Sequence, residues 1–170
     1  MKLSPNFSLK ELIQSQTATR KGINNNPNED QISKMEDLCK EILQPVRDHF
    51  GKVVSVSSGF RCEELCLAIG SSVNSQHAKG EAADFEIFGV SNKELADWIY
   101  HNLPFDQLIL EYWNPDEANS GWVHCSYKPA GRKQYLKAAR DSNGKTYYDK
   151  CYPANGPTKD EINASLGERD

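Results

Sequence analysis

The sequence predicts an α+β fold in which a small, mainly antiparallel central sheet is flanked by helices and followed by a C-terminal β-hairpin and tail. Three features of the 170-residue chain lead to this prediction. Apolar residues recur at three- and four-residue steps in the N-terminal third, as in amphipathic helices. Short β-branched and aromatic runs follow, with a further helical segment between them. Asn143-Gly144 then separates two β-prone runs, which is a strong hairpin signal.

The N-terminal third is predicted to be helical. Ser8 and Glu11 have the spacing of a capping box, which predicts a short helix after Ser8. After a loop at 24–27, a long helix is expected to begin near Asn28. Its apolar face consists of Ile32, Met35, Leu38, Ile42 and Leu43. Pro45 is expected to kink or end this helix, although the five residues after it can add one turn.

The next segment is predicted to form a strand, a helix and a loop. The run at 52–58 is short and β-branched, which is typical of a strand. The helix predicted at 61–69 places Leu65 and Ile69 on one side. Turn-forming residues predict a loop at 70–80.

A second strand is predicted at 82–88, and it has two different faces. Ala83, Phe85 and Ile87 alternate with Asp84 and Glu86. The two carboxylates are therefore expected on the face opposite the apolar residues. Ser91 and Glu94 have the spacing of another capping box, which predicts that a helix begins there.

The remaining elements are predicted to be mainly strands. Two apolar strands are expected at 105–113 and 121–127, joined by the polar loop 114–120. The hairpin with Asn-Gly at its turn spans 134–152, and a short terminal helix is predicted at 158–166.

Charge and composition exclude several classes of protein. The net charge is −4, which argues against a nucleic-acid-binding protein because such proteins have a basic face. No apolar run approaches the roughly 18 residues of a membrane span, and no apolar signal-peptide segment is visible. We therefore expect a monomer that is cytoplasmic when made, with no nucleic-acid or membrane partner. The five cysteines are expected to be buried thiols and not a disulfide framework.

Three side chains have the chemistry and the predicted positions of metal ligands. His77 lies in the loop before the second strand, Asp84 lies on that strand, and His124 lies on a later one. A turn at Gly80 can fold the loop back toward Asp84. The three ligands converge if Asp84 and His124 share one face of the sheet. A catalytic zinc needs three such ligands and an open position.

Glu111 is the candidate general base beside such a metal. It follows an apolar run and lies near His124 if the strands 105–113 and 121–127 pair. Partial desolvation there raises the pKa of a carboxyl group toward the range useful for a base. Cys62 and Cys66 are an alternative pair of metal ligands, but structural zinc normally needs a second pair, which the sequence lacks.

These segments together resemble a known family. "SSGFR", "SQHAKGEAADFEI", "FDQLILEY" and "GWVHCSY" resemble the zinc D-alanyl-D-alanine carboxypeptidase and L-alanyl-D-glutamate endopeptidase family. These murein peptidases share a fold with the hedgehog signalling domain. The family pattern S-x-H-x-x-G-x-A-x-D is matched from Ser75 to Asp84, and its distal W-x-H by Trp122 and His124. The resemblance covers roughly residues 5–128. Within the family, the chain is similar to phage and bacterial members without an extra wall-binding domain.

The resemblance implies a Zn²⁺-dependent hydrolase with one catalytic ion, acting on peptide bonds of peptidoglycan stem peptides. D-Ala-D-Ala carboxypeptidase and L-Ala-D-Glu endopeptidase activities both remain open. The implied roles are metal binding by His77, Asp84 and His124, catalysis by Glu111 and Arg61, and substrate binding by Ser75, Arg61 and Trp122. Residues 1–128 are then the zinc peptidase domain, and 129–170 are an accessory hairpin and tail of the same domain. A phage or bacterial lytic enzyme is implied, one that reaches the cell wall after release or is carried by the virion.

The chain departs from the family pattern at one position. Many relatives have an acid three residues before the final histidine, and Gly121 stands there in this chain. The base must therefore be Glu111 or a loop acid, with Asp116 and Glu117 as the weaker candidates. Two other functions are open: a non-catalytic zinc module that binds wall peptide or a protein partner, and a phage structural domain without metal.

Overall fold

Helices and strands follow one another in the predicted α+β order in the computed structural model, which describes residues 1–156. Two short strands pair near the N-terminus, β1 (Lys2–Ser4) and β2 (Phe7–Ser8). The helices are α1 (Leu9–Ile13), α2 (Gln16–Lys21), α3 (Glu29–Leu38), α4 (Gln44–Phe50), α5 (Glu63–Ile69), α6 (Gln76–Lys79) and α7 (Asn92–Asn102). The other strands are β3 (Ser55–Ser58), β4 (Ala82–Glu86), β5 (Gln107–Glu111), β6 (Trp122–Ser126), β7 (Gln134–Arg140) and β8 (Thr146–Lys150). The helix predicted at 158–166 lies outside the described residues.

The central sheet has six strands in the order β3-β4-β6-β5-β7-β8. All neighbouring pairs are antiparallel except β5 and β7, which run parallel. The prediction of a mainly antiparallel sheet with flanking helices is therefore confirmed. The predicted hairpin is also present, as β7 and β8 joined by a turn in which Gly144 has a φ of 79°. This hairpin continues the central sheet through β5, so the segment after residue 128 supplies two of the six strands.

The core lies on one face of the sheet, where α7 packs against β5 and β6. Alternation along β4 sends Ala83 and Phe85 into this core, as the sequence predicts. Other core side chains from the strands and helices are Leu38, Ile42, Leu95, Ile99, Leu108, Leu110 and Val123. Each fully buried side chain of this kind contributes about 1.5–3 kcal/mol of hydrophobic stabilisation. The opposite face of the same strands carries polar side chains and a small apolar cluster of Ile109, Leu136 and Ala138.

The helix caps agree with the sequence. Ser8 and Glu11 form the reciprocal capping box of α1, and Asn28 caps α3 through the backbone N–H of Gln31. Ser91 caps α7 by accepting a hydrogen bond from the backbone N–H of Glu94, which is one half of the predicted capping box. Among the described residues, no helix combines the length and the apolar character that crossing a bilayer requires.

The long helix continues through Pro45, where the sequence predicts a kink or an end. A π-helical turn, Cys39–Leu43, lies between α3 and α4, and Gln44 N–H donates to the carbonyl of Cys39 five residues back. Pro45 then stands in the first turn of α4, directly after this wider turn. The helix therefore neither ends nor breaks at Pro45, because the wider turn before it absorbs the change in hydrogen bonding.

The loop predicted at 70–80 contains a helical turn, α6. Ser75 caps it by accepting from the backbone N–H of His77 at 3.2 Å, and Gly80 ends it in the left-handed region with a φ of 80°. A Cβ on Gly80 would lie 2.6 Å from the carbonyl oxygen of Gln31, so the position needs glycine. The turn residues that suggested a loop are in fact the two ends of a short helix.

A buried carboxylate fastens α6 to the segment after β6. Asp106 is fully buried, and its Oδ1 accepts from the backbone N–H of Arg132 at 2.9 Å and from Arg132 Nε at 3.1 Å. Its Oδ2 accepts from Arg132 Nη2 at 3.2 Å and from Gln76 Nε2 at 2.9 Å. Gln76 lies on α6, so this carboxylate joins two segments that are far apart in sequence.

Replacing Asp106 with asparagine is expected to lower the free energy of unfolding at pH 7 by about 3 kcal/mol, because the Arg132 guanidinium loses its buried counter-charge. Burial alone would raise the pKa of Asp106, but the hydrogen bonds and charge of Arg132 outweigh it and hold the pKa below its usual value. The carboxylate therefore stabilises the fold fully above the unfolded pKa of about 3.9, and this contribution is lost as the pH falls below that value.

Urea unfolding of wild type and Asp106→Asn at pH 7 and pH 3 measures this effect. Asp116→Asn is the control, since Asp116 lies in an exposed loop. The difference between wild type and Asp106→Asn should shrink at pH 3. A difference that is absent at pH 7, or equal at both pH values, would contradict the role given to this carboxylate.

Candidate metal centre

The three predicted ligands meet at one point on the polar face of the sheet. His77, Asp84 and His124 each offer a ligand atom, and these atoms lie within 4.8 Å of one another. His124 Nδ1 lies 2.9 Å from Asp84 Oδ1, and His77 Nε2 lies 3.4 Å from the same oxygen. His77 and Asp84 are buried, and the side chain of His124 is 12% exposed. The sequence-based prediction that these residues converge is thus matched by the geometry.

The sheet register explains why two of the ligands meet. Asp84 on β4 is directly opposite His124 on β6, so the two side chains share a face. Their apolar neighbours Ala83 and Cys125 are the adjacent pair and point into the core. This pairing meets the condition for convergence, namely that Asp84 and His124 share one face of the sheet.

The third ligand is oriented by the backbone around α6. His77 Nδ1 lies 2.7 Å from the carbonyl oxygen of Gly59, so the proton on Nδ1 is donated there. This fixes the tautomer and leaves the lone pair of Nε2 directed toward Asp84. Metal-binding histidines usually donate their other N–H to a carbonyl or carboxylate in this way.

The charge state of the cluster suits a divalent cation. Burial lowers the pKa of His77, which favours the neutral imidazole that a metal requires. Burial alone would raise the pKa of Asp84, but hydrogen bonds with His124 and His77 hold it well below its usual range. Two imidazoles and one ionised carboxylate facing an open cleft are a donor set that fits catalytic zinc.

Arg61 lies directly behind the cluster. Its Nη2 is 3.3 Å from Asp84 Oδ2, and its Nε donates to Ser58 Oγ at 2.9 Å. The guanidinium therefore orients the carboxylate of Asp84 while it also lines the cleft. A positive charge at this place can reach both a metal ligand and a bound substrate.

A cleft of about 600 Å³ opens in front of the cluster. The predicted site residues that line it are Arg61, Ser75, His77, Asp84, Glu111, Trp122 and His124. All the residues that the sequence singled out for catalysis, substrate binding and metal binding are therefore brought together. Asp116 and Glu117 lie instead in the exposed loop before Gly121 and are not among the lining residues.

Glu111 stands at the end of β5, opposite Trp122 on β6. Burial, followed by the negative charge of Asp84, raises the pKa of Glu111. The indole Nε1 of Trp122 is buried and makes no hydrogen bond to the described residues. A carboxylate with a raised pKa, facing the cleft beside the cluster, has the properties of a general base.

The backbone after Glu111 is held in an unusual conformation. Tyr112 has a φ of 56°, which is uncommon for a residue with a side chain. Its hydroxyl lies 2.7 Å from Thr146 Oγ1, its N–H donates to the carbonyl of Ala138, and the Arg140 guanidinium lies 4.2 Å from its ring centre. These contacts come from the β7–β8 hairpin, which thus fixes the strand end that presents Glu111.

Gly121 cannot carry an acidic side chain in this fold. Its φ is 67°, and a Cβ there would overlap the carbonyl oxygen of Glu111. The close approach of these two backbones brings β6 alongside the end of β5. The acidic residue that the family pattern led us to look for at this position is therefore sterically excluded.

Gly121→Ala is expected to lower the free energy of unfolding by about 3 kcal/mol or more. The left-handed backbone costs roughly 1–2 kcal/mol for a residue with a Cβ, and the overlap with Glu111 adds to it. Gly144→Ala is the matched control, since Gly144 has a φ of 79° and open space around it. Urea unfolding compares the two, and equal losses would contradict the close approach at Gly121.

Several lining residues were not predicted from the sequence. Tyr148 on β8, together with Lys128 and Arg132, comes from the segment after β6. Burial and then the negative charge of Glu111 raise the pKa of Tyr148. The Asn-Gly turn predicted the hairpin, but no sequence signal indicated that it pairs with β5 and so reaches the cleft.

Comparison with protein families finds a match. A protein-family model described as Peptidase M15 matches residues 5–126, more than two thirds of the chain. The match contains the three ligands, Arg61 and Glu111, and it ends before the β7–β8 hairpin. A search of curated proteins found none that matches.

Proposed function

The chain belongs to the peptidase M15 family, and from this we propose that it is a zinc metallopeptidase that hydrolyses peptide bonds in peptidoglycan stem peptides. A peptidase family implies a hydrolase with a peptide substrate. The observation that carries the proposal is the convergence of His77, Asp84 and His124 in a cleft that also holds Glu111. Both D-Ala-D-Ala carboxypeptidase and L-Ala-D-Glu endopeptidase activity are compatible with this arrangement.

The proposed cofactor is one Zn²⁺ ion held by His77, Asp84 and His124. The neutral imidazole of His77, the ionised carboxylate of Asp84 and the open cleft support zinc over a harder cation, which prefers oxygen ligands. When bound, zinc supplies Lewis acidity, which polarises a carbonyl group and lowers the pKa of water.

Glu111 is the proposed general base and general acid. Its carboxylate takes a proton from the attacking water as the new C–O bond forms, and it gives this proton to the amine nitrogen as the C–N bond breaks. The raised pKa that burial gives Glu111 suits both steps, since the group must accept and then release a proton near neutral pH. The same carboxylate also supports an enzyme over a non-catalytic zinc module, which has no use for a buried base in the cleft.

Arg61, Ser75 and Trp122 are proposed to position the substrate. The Arg61 guanidinium stabilises a substrate carboxylate or the negative charge that develops on the scissile carbonyl oxygen. Ser75 acts on His77 through the cap of α6, and its position in the cleft also allows contact with the peptide. Trp122 forms an aromatic wall beside Glu111.

The proposed place of action is the cell wall, as a phage or bacterial lytic enzyme or a virion-associated peptidase. This part of the proposal rests on the substrate class, because peptidoglycan lies outside the cell membrane.

Removal and restoration of the metal tests the proposal. The purified protein is stripped with a chelator, divided, and incubated with purified peptidoglycan with or without added zinc. We expect new amino groups to appear in the zinc-supplemented sample and to be absent from the stripped one. Equal numbers of new amino groups in both samples would contradict a zinc peptidase. Tight zinc binding with no new amino groups would favour the non-catalytic module.

A further inference from the structure

Tyr148 reaches the active-site cleft from the C-terminal hairpin, outside the part of the chain that matches the family. It lies on β8 and lines the same cleft as the metal ligands and Glu111. Its side chain is partly exposed, since the residue retains 45% of its accessible surface. No role in the chemistry described above requires this ring.

The register of four strands places Tyr148 in one row with two residues of the active site. Trp122 is opposite Glu111, Glu111 is opposite Ala138, and Ala138 is opposite Tyr148. Directly opposed residues point to the same face of a sheet. The row therefore runs from an aromatic wall at Trp122, past the carboxylate, to a second aromatic wall at Tyr148.

Glu111 and Tyr148 are separated in this row by one residue, Ala138. The two residues are two strand spacings apart, or about 10 Å between backbones. Ala138 is buried and forms a small apolar cluster with Ile109 and Leu136. Of this cluster, Ile109 lines the cleft, so the wall of the cleft near Glu111 and Tyr148 is partly apolar.

The position of the base determines which half of the substrate lies there. The ligands Asp84 and His124 are on β4 and β6, Glu111 is on the next strand, and Tyr148 lies farther along in the same direction. Because Glu111 returns the proton to the leaving amine, that amine lies on the Glu111 side of the scissile bond. The residue that carries the amine then extends over β7 toward Tyr148.

We propose that Tyr148 is a specificity-determining residue whose ring packs against the side chain of the substrate residue on the amine side of the scissile bond. The inference rests on the proposed function, and it adds the hairpin to the substrate-binding surface. It also assigns the surface formed by Tyr148 and Ile109 to the amine side of the cleft.

Two sets of synthetic stem peptides serve as probes, one with the L-Ala-D-Glu bond and one ending in D-Ala-D-Ala. In each set, glycine replaces the residue on either the amine side or the acyl side of the bond. The variants are Tyr148→Ala, Tyr148→Phe and the control Tyr147→Ala, whose residue is equally exposed at 45% and points to the other face of β8. Zinc content and thermal unfolding show that each variant is folded and loaded.

On the set that wild type cleaves, Tyr148→Ala should lower kcat/KM roughly tenfold, mainly through KM, as expected for the loss of a side-chain contact. It should also lose the wild-type preference for an amine-side side chain over glycine while keeping the preference on the acyl side. Tyr148→Phe should retain most of the preference, and Tyr147→Ala should behave as wild type.

Unchanged preference in Tyr148→Ala, or an equal loss on both sides of the bond, would overturn the inference. A wild-type protein that binds zinc but cleaves neither set would contradict the proposed function itself, and the inference would fall with it. A Tyr148→Ala protein that cleaves but has lost amine-side preference supports both.

Discussion

Replacing Glu111 with glutamine is expected to lower kcat for peptide hydrolysis by about 10²–10⁴-fold, the usual contribution of a general acid–base group. Glutamine keeps the shape of the side chain and its place at the end of β5, but it cannot accept the proton of the attacking water. The ligands His77, Asp84 and His124 are unaffected, so the protein should still bind one zinc ion per chain. KM should change little, because the substitution removes an interaction of the transition state.

Steady-state kinetics with zinc-loaded wild type and Glu111→Gln measure this effect. Glu117→Gln is the matched control, since Glu117 lies in the exposed loop before Gly121 and is not among the cleft residues. Full activity in Glu111→Gln combined with a large loss in Glu117→Gln would show that the loop supplies the base. Loss of zinc from Glu111→Gln would mean that its role is structural.

Replacing His77 with alanine is expected to remove both the metal and the activity. His77 provides one of three ligands, and its Nδ1 bond to Gly59 holds the imidazole toward Asp84. Changes to groups that merely orient a ligand typically lower metal affinity 10–100-fold, so loss of the ligand itself should lower it by more than about 100-fold. The buried Asp84 also loses the imidazole that lies 3.4 Å from its Oδ1.

Metal analysis after gel filtration, together with peptide hydrolysis, tests this expectation. His101→Ala is the control, because His101 is an exposed residue at the end of α7. We expect one zinc ion per chain in wild type and in the control, and almost none in His77→Ala. An active, zinc-containing His77→Ala protein would show that another residue completes the site.

Much of the site could be predicted because its residues lie on elements with strong local signals. Asp84 and His124 each alternate with apolar residues, so their faces follow from the pattern alone. Glu111 ends an apolar run, which predicts a partly buried position at a strand end. The resemblance in "SQHAKGEAADFEI" and "GWVHCSY" then supplied the pairing that alternation alone left open.

The remaining features of the site depend on contacts between segments that are far apart in sequence. The parallel pairing of β5 with β7 brings Tyr148 to the cleft, and a hairpin signal at Asn143-Gly144 contains no information about its neighbour in the sheet. Because Ser75 and Gly80 are both turn formers, the sequence predicts a loop, although here they cap one helical turn. The need for glycine at position 121 is visible only once Glu111 lies against it.

We propose that this chain uses the His77, Asp84 and His124 centre with Glu111 to hydrolyse a peptide bond of peptidoglycan. Mass spectrometry of purified peptidoglycan fragments, digested with zinc-loaded wild type and with Glu111→Gln, tests it most directly. Wild type is expected to produce fragments that have gained water at a single type of stem-peptide bond. Glu111→Gln is expected to leave the fragments almost intact. Intact fragments after wild-type digestion, or the same cleavage by both proteins, would contradict the claim.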